Sequence, residues 1–214
     1  MKRRVVFGAG GVIVAALSVL AAAAVGAFAS GSPTKSAGQA TTPSGGITAP
    51  SAAQVASFPV LGQAATTGEA STSPEALQML KSAEGQYHAN PSLGRNVVSN
   101  AVATAVVVPG EGAMCLVVLG HVGASSSVCE PEAGASKEGL GMVETVPSGG
   151  YVIVGVKPAS DAASTVVVTD EAGQETSIKL SAQNGYAFEI SGKPVKMDWI
   201  GSNGTQSSTA LPKE

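Results

Sequence analysis

Four side chains in this sequence carry chemistry that a fold could use, and three of them fall in one stretch. GEGAMCLVVLGHVGASSSVCEPEAG, residues 110–134, holds Cys115, His121 and Cys129; the fourth residue is His88. A thiol beside an imidazole is a nucleophile with its base. Two thiols are a redox couple or a crosslink. Redox couples are usually C-x-x-C near a helix start, and the spacing here is far longer. A nucleophile would need His121, which stands six residues from Cys115 along a strand and a turn, with nothing that forces the two together. The crosslink fits best. In AMCLVVLG, Cys115 shares a strand face with Val117, while Met114, Leu116 and Val118 take the other. A Cys115–Cys129 disulfide between neighbouring antiparallel strands needs Cα atoms about 5–6 Å apart. It closes a loop of about 15 residues, and by chain entropy stabilises by roughly 3 kcal/mol.

Other chemistry finds less support. His88 and His121 lie in different regions, without the converging ligands at short spacing that a metal requires. The acidic groups Glu130 with Glu132, Glu138 with Glu144, and Asp170 with Glu171 lack the pattern of a calcium loop. No G-x-S-x-G occurs, and the GAGG of residues 8–11 lies inside an apolar run rather than after a strand. Sugar sites usually offer aromatic platforms, and only Phe58, Tyr87, Tyr151, Tyr186, Phe188 and Trp199 are available beyond that run. No catalytic, metal-ligating or cofactor-binding residue is assigned.

The chain begins with Lys2, Arg3 and Arg4, followed by a run without charge to Ala29. A basic start, an apolar core and the small-x-small end Ala27-Phe28-Ala29 make residues 1–29 an export signal, with Ser30 as the new N-terminus. Residues 5–29 are also long enough to span a bilayer, which would retain them as an anchor with its basic end in the cytoplasm. Both readings stay open, and both place the rest outside the cytoplasm, secreted or tethered, where an isolated cysteine pair oxidises. No cysteine follows the run before Cys115, which excludes a lipoprotein anchor at the signal junction. The net charge is −3; without the three cations of residues 1–29 it is about −6. That excludes the basic footprint of a nucleic-acid binder and attraction to anionic lipid.

Residues 30–54 are Ser, Thr, Pro, Gly and Ala with one charge, the composition of a disordered linker. The tail 201–214 reads the same way. The folded domain is therefore expected over 55–200. ASFPVL suggests a short edge strand. STSPEALQMLKSAEG reads as a helix with Ser73 as cap, Pro74 at the first position and Glu75 at the positive end of the dipole. ANPSLGRNVVSN suggests a second, shorter helix from Asn90-Pro91, with Leu93 and Val97 four apart. Beyond it come short Val- and Ile-rich runs separated by Gly, Pro, Asp or Ser, which are strand signals. VVVTDEAGQETSIKL is a hairpin turning at DEAG. In GYAFEI, Tyr186, Phe188 and Ile190 share one face. VVVP and YVIVGV are apolar on both faces and belong between layers. The expected fold is α+β, mostly β: one or two short N-terminal helices on a small antiparallel sheet, closed as a sandwich or partly open barrel, with one disulfide.

The order FPVL, NPSLGRNV, VVVPGEGAMCLVV, VC, VPSGGYVIVGV and NGYAFEI resembles a group of uncharacterised exported proteins of actinobacteria. They carry a strand ending in P-G-x-G-x-x-C-L, then a second cysteine and a V-P-x-G turn. The resemblance covers roughly residues 57 to 190. It implies a bacterial cell-envelope or secreted protein framed on Pro109, Gly110, Cys115 and Cys129, and implies no activity. The leading expectation is a non-enzymatic binding module for a protein or another envelope component. The alternatives are a hydrolase whose site is assembled from residues distant in sequence, and a membrane-anchored sensor domain.

Overall fold

The β-branched runs become strands, and the Gly, Pro and Asp signals between them become turns. The computed structural model describes residues 47–65, 73–161 and 163–211, with the main chain alone of Val5–Val6 and of residues 82–86. The strands are β1 (Val5–Val6), β2 (Arg95–Ser99), β3 (Ala103–Gly110), β4 (Ala113–Gly120), β5 (Ser126–Pro131), β6 (Leu140–Thr145) and β7 (Tyr151–Val156). They continue as β8 (Ala163–Asp170), β9 (Glu175–Lys179), β10 (Gly185–Ile190), β11 (Pro194–Gly201) and β12 (Gln206–Ala210). The helices are α1 (Ala52–Ser57), α2 (Pro74–Tyr87) and α3 (Glu132–Glu138). The fold is mostly β, in three antiparallel sheets rather than the single small sheet expected. The first runs β2-β3-β4-β5, the middle β1-β6-β7-β10 and the third β12-β11-β8-β9.

Period-two alternation explains why three sheets are needed. On β3, Ala103, Ala105 and Val107 face one way, and Val106 and Val108 the other. A strand buried on both faces requires a layer on each side. The first set meets Met142 of β6, Val152, Val154 and Val156 of β7, and Ala187 of β10. The second set lies under α2, whose Ala76 and Leu80 are fully buried. The middle sheet is apolar on its other face too. There Ile153, Tyr186, Phe188 and Ile190 pack on Val166, Val168, Met197 and Trp199 of the third sheet. The layers are thus α2, first sheet, middle sheet, third sheet. Each Val, Leu or Ile buried this way contributes about 1.5–3 kcal/mol as an upper estimate. Gly155 of β7 is needed where the layers are tightest. A Cβ there would overlap the Tyr186 hydroxyl and the Leu140 carbonyl.

Several local expectations are corrected. The domain begins before residue 55, because Ser51 and Gln54 form a reciprocal capping box at the start of α1. The buried Gln54 amide then donates to the carbonyls of Gly110 and Ala113, both at 2.9 Å, and so ties α1 to the β3–β4 turn. ASFPVL is the end of α1 and a 3-10 turn, Pro59–Gly62, and not an edge strand; Pro59 opens that turn. The helix expected from Asn90 is a single 3-10 turn, Pro91–Leu93, followed by β2. Gly94 breaks the helical pattern, and Val97 and Val98 favour the sheet. Part of the tail expected to be unstructured is β12, paired with β11 from Ile200↔Gln206 to Lys196↔Ala210. No element was expected over residues 132–138, yet the short helix α3 forms there; its glycine stop, Gly139, has φ +84. Among the described residues no helix is long and apolar enough to cross a membrane. The expected export or anchor segment lies outside the described residues, except for the main chain of Val5–Val6.

Candidate functional site

Cys115 and Cys129 face each other across β4 and β5 and form the disulfide. Their Cα atoms are 4.0 Å apart, closer than the expected 5–6 Å. Residues directly opposite at a narrow, non-hydrogen-bonded position of an antiparallel pair are drawn together in this way. The bridge lies on the face that α2 covers. Cys115 is fully buried among Leu80, Val117, Val106 and Val108, and Ser127 Oγ on β5 donates to the Met79 carbonyl of α2 at 3.1 Å. No described cysteine is free. The pair is consistent with an oxidising compartment.

The two histidines stand at opposite ends of β4. His88 Nδ1 lies 2.8 Å from Glu111 Oε2 beside the β3–β4 turn, while His121 follows Gly120 at the far end. Eight strand residues at about 3.4 Å each separate them by roughly 25 Å. His121 Nδ1 is 2.8 Å from the Asn100 carbonyl, so it carries the proton and donates. Its Nε2 is 3.5 Å from Thr104 Oγ1, which is itself 2.8 Å from Ser99 Oγ. A hydroxyl, an imidazole and an orienting carbonyl are the parts of a hydrolase relay. Here the hydroxyl contact is at the outer limit of a hydrogen bond, and Thr104 is buried and already paired. The arrangement ties the β4–β5 loop to the β2–β3 turn. Among the described residues, no group of three or more His, Cys, Asp or Glu is placed to hold a metal.

The acidic groups divide in the same way. Glu132 accepts from Ser51 Oγ at 3.2 Å. Asp170 Oδ1 accepts the main-chain N–H groups of Ala172 and Gln174 at 2.9 and 2.8 Å, which builds the DEAG turn, with Gly173 at φ +79. Burial pushes the Glu130 carboxyl up. Lys157 is a buried ammonium. It pairs with Asp161, donates to the Glu138 carbonyl at 3.0 Å, and sits 4.7 Å from the Trp199 ring centroid. These groups hold turns and layers in place.

The outer face of the third sheet is different. Its inner face is fixed by Val166, Val168, Met197 and Trp199. Alternation turns Thr165, Val167 and Thr169 of β8 outward, and their cross-strand partners with them. The rows read Lys179–Thr165–Ile200–Gln206, Ser177–Val167–Asp198–Ser208 and Glu175–Thr169–Lys196–Ala210. Among the described residues this is the one sheet face with no layer against it. It presents hydroxyls, both charges, and two half-buried apolar points, Val167 and Ile200. Asp198 organises its centre. Lys196 Nζ is 2.9 Å from Asp198 Oδ2, and Ser208 Oγ donates to Oδ1. These two bonds hold the Asp198 carboxyl below its usual range despite burial. The sequence hid this face, because STVVVTD places three valines in a row and masks the alternation. No family model matches the chain, and neither a curated protein nor a solved structure matches it.

Proposed function

We propose that the chain is an exported, non-enzymatic binding module that meets an envelope partner through the outer face of its third sheet. The observation that carries this reading is the uncovered face built on Thr165, Thr169, Ser177, Lys196 and Asp198. Every other sheet face among the described residues is covered. The mixture of hydroxyls, paired charge and a few apolar points has the chemistry of a non-obligate interface, which is about as polar as ordinary surface. The partner is correspondingly a polar, hydrogen-bonding component of the cell envelope. The disulfide and the basic-then-apolar start support an extracytoplasmic setting. The low charge and the absence of a basic footprint in the sequence turn the reading away from nucleic acid.

The test is capture from envelope extracts with the full chain and two variants. Ser177→Arg with Lys179→Glu changes the open face. Leu77→Ser changes exposed α2 on the opposite side of the stack. A partner retained by the wild type and by Leu77→Ser, and lost from the double variant, is the expected outcome. A partner retained equally by all three overturns the assignment of the face.

A further inference from the structure

The chain holds two Asn-Gly steps, Asn184-Gly185 and Asn203-Gly204, and the fold treats them differently. In such a step the main-chain nitrogen of the glycine can attack the asparagine side-chain amide, because no Cβ on the glycine stands in the way. The main chain between the two residues must be free to turn for that ring to close.

The Asn184 step is clamped. Gly185 N–H donates to Ser181 Oγ at 2.9 Å, the Gly185 carbonyl accepts from Ser181 N–H at 2.8 Å, and the Asn184 carbonyl accepts from Lys157 N–H at 3.0 Å. Gly185 is also buried against β2, where an added Cβ would overlap the Val97 carbonyl.

The Asn203 step stands at the tip of the β11–β12 hairpin, and residues 202–208 are all exposed. Gly204 has φ +79, and an added Cβ there would meet nothing within 4 Å. One main-chain bond holds its nitrogen, from Gly204 N–H to the Gly201 carbonyl at 3.0 Å. Exposed loop tips are where such bonds open at least cost. The amide itself is set for attack. Asn203 Oδ1 accepts from Thr205 N–H at 3.0 Å and from the Thr205 hydroxyl at 2.7 Å. Two donors on the oxygen that gains negative charge are the parts of an oxyanion hole. Among the described residues the departing nitrogen, Nδ2, has no hydrogen-bond partner.

We infer that Asn203 is a self-modification site, whose amide is lost through a cyclic imide with Gly204 while that of Asn184 is kept. Gly204 N gives up its proton and bonds to Asn203 Cγ. The Cγ–Nδ2 bond breaks, and Nδ2 leaves with that proton as ammonia. Water then opens the imide at either of its carbonyls, giving aspartate or isoaspartate. Water is the only co-reactant. Either product adds a negative charge at the hairpin tip. Isoaspartate also lengthens the main chain there by one atom, which loosens the last pair of the hairpin, Ile200↔Gln206. The site is thus a clock at one end of the third sheet, and it stands apart from the partner reading of that sheet.

The experiment ages the full chain at mildly alkaline pH and maps its peptides by mass. Asn203 should convert to the acid, with isoaspartate the larger product, while Asn184 in the same digest keeps its amide. Thr205→Val keeps the N–H and the side-chain shape but removes the hydroxyl. It should slow conversion about fivefold, the rate equivalent of one hydrogen bond. Hydrogen exchange of β12 should quicken on ageing in the wild type and stay constant in Asn203→Gln, with β9 unchanged in both. An Asn203 that keeps its amide while the unfolded chain loses it overturns the inference. So does loss at Asn184 at the same rate, which would make the dipeptide rather than its setting the cause. Aspartate as the sole product overturns the ring step in favour of direct hydrolysis. Conversion of Thr205→Val at the wild-type rate or faster overturns the role of the hydroxyl.

Discussion

The first and third sheets use the same antiparallel plan to opposite ends. The first is buried on both faces, stapled by Cys115–Cys129, and covered by α2. The third is buried on one face and open on the other, with its polar rows held by Lys196–Asp198–Ser208 rather than by packing. What separates them is side-chain alternation. Valine and alanine on both faces of β3 and β4 demand two covering layers, whereas Thr, Ser and Lys on alternate positions of β8, β9 and β11 need only one. The covered sheet holds the stability, and the open one is free to vary in chemistry without unfolding.

The comparison can be broken at its strongest point first. Leu116→Ala removes a fully buried side chain between the first and middle sheets. It should cost about 2–5 kcal/mol in denaturant unfolding. Replacing Cys115 and Cys129 together by alanine should cost about 3 kcal/mol, and reductant should lower the wild-type melting temperature to a similar extent. A smaller loss on the third sheet separates the two regions by pH. Asp198 has a depressed native pKa, so its contribution is present above the unfolded value near 4 and is lost as pH falls through the lower native value. Asp198→Asn should cost about 1 kcal/mol at pH 7 and flatten the acid limb of the stability profile. The smallest effect sharpens the contrast: Ser177→Arg, on the open face, should change stability by no more than about 0.5 kcal/mol while disrupting partner capture. A loss comparable to that of Leu116→Ala would mean that the face is not open.

The strands were legible wherever β-branched residues met a turn signal. GYAFEI shows this, since Tyr186, Phe188 and Ile190 do share the face that meets the third sheet. So does the partition of AMCLVVLG, with Cys115 and Val117 under α2 and Met114, Leu116 and Val118 toward the middle sheet. The two-faced strands VVVP and YVIVGV correctly signalled layers on both sides, but not how many sheets supplied them, because sheet membership is set by long-range pairing that local pattern does not record. The polar QSSTA of β12 carried no apolar alternation, so its pairing with β11 was invisible. In EAGASKE, Gly134 weakened a helix that Glu132, Lys137 and the Gly139 stop could have signalled together. The open face was obscured for a different reason: Val167 stands between two inward valines, and only the cross-strand register reveals which way it points.

The placement of the disulfide has one more consequence, for resistance to proteolysis. Cys115 and Cys129 bracket the longest connection on the first sheet, where His121 and Val122 are exposed. A protease that cuts there severs the chain but not the molecule. The two fragments remain one covalent body, held under α2, and migrate as a single species until reductant is added. The bridge therefore makes the Gly- and Ser-rich connection expendable: the loop can be nicked while the sheet behind it stays whole.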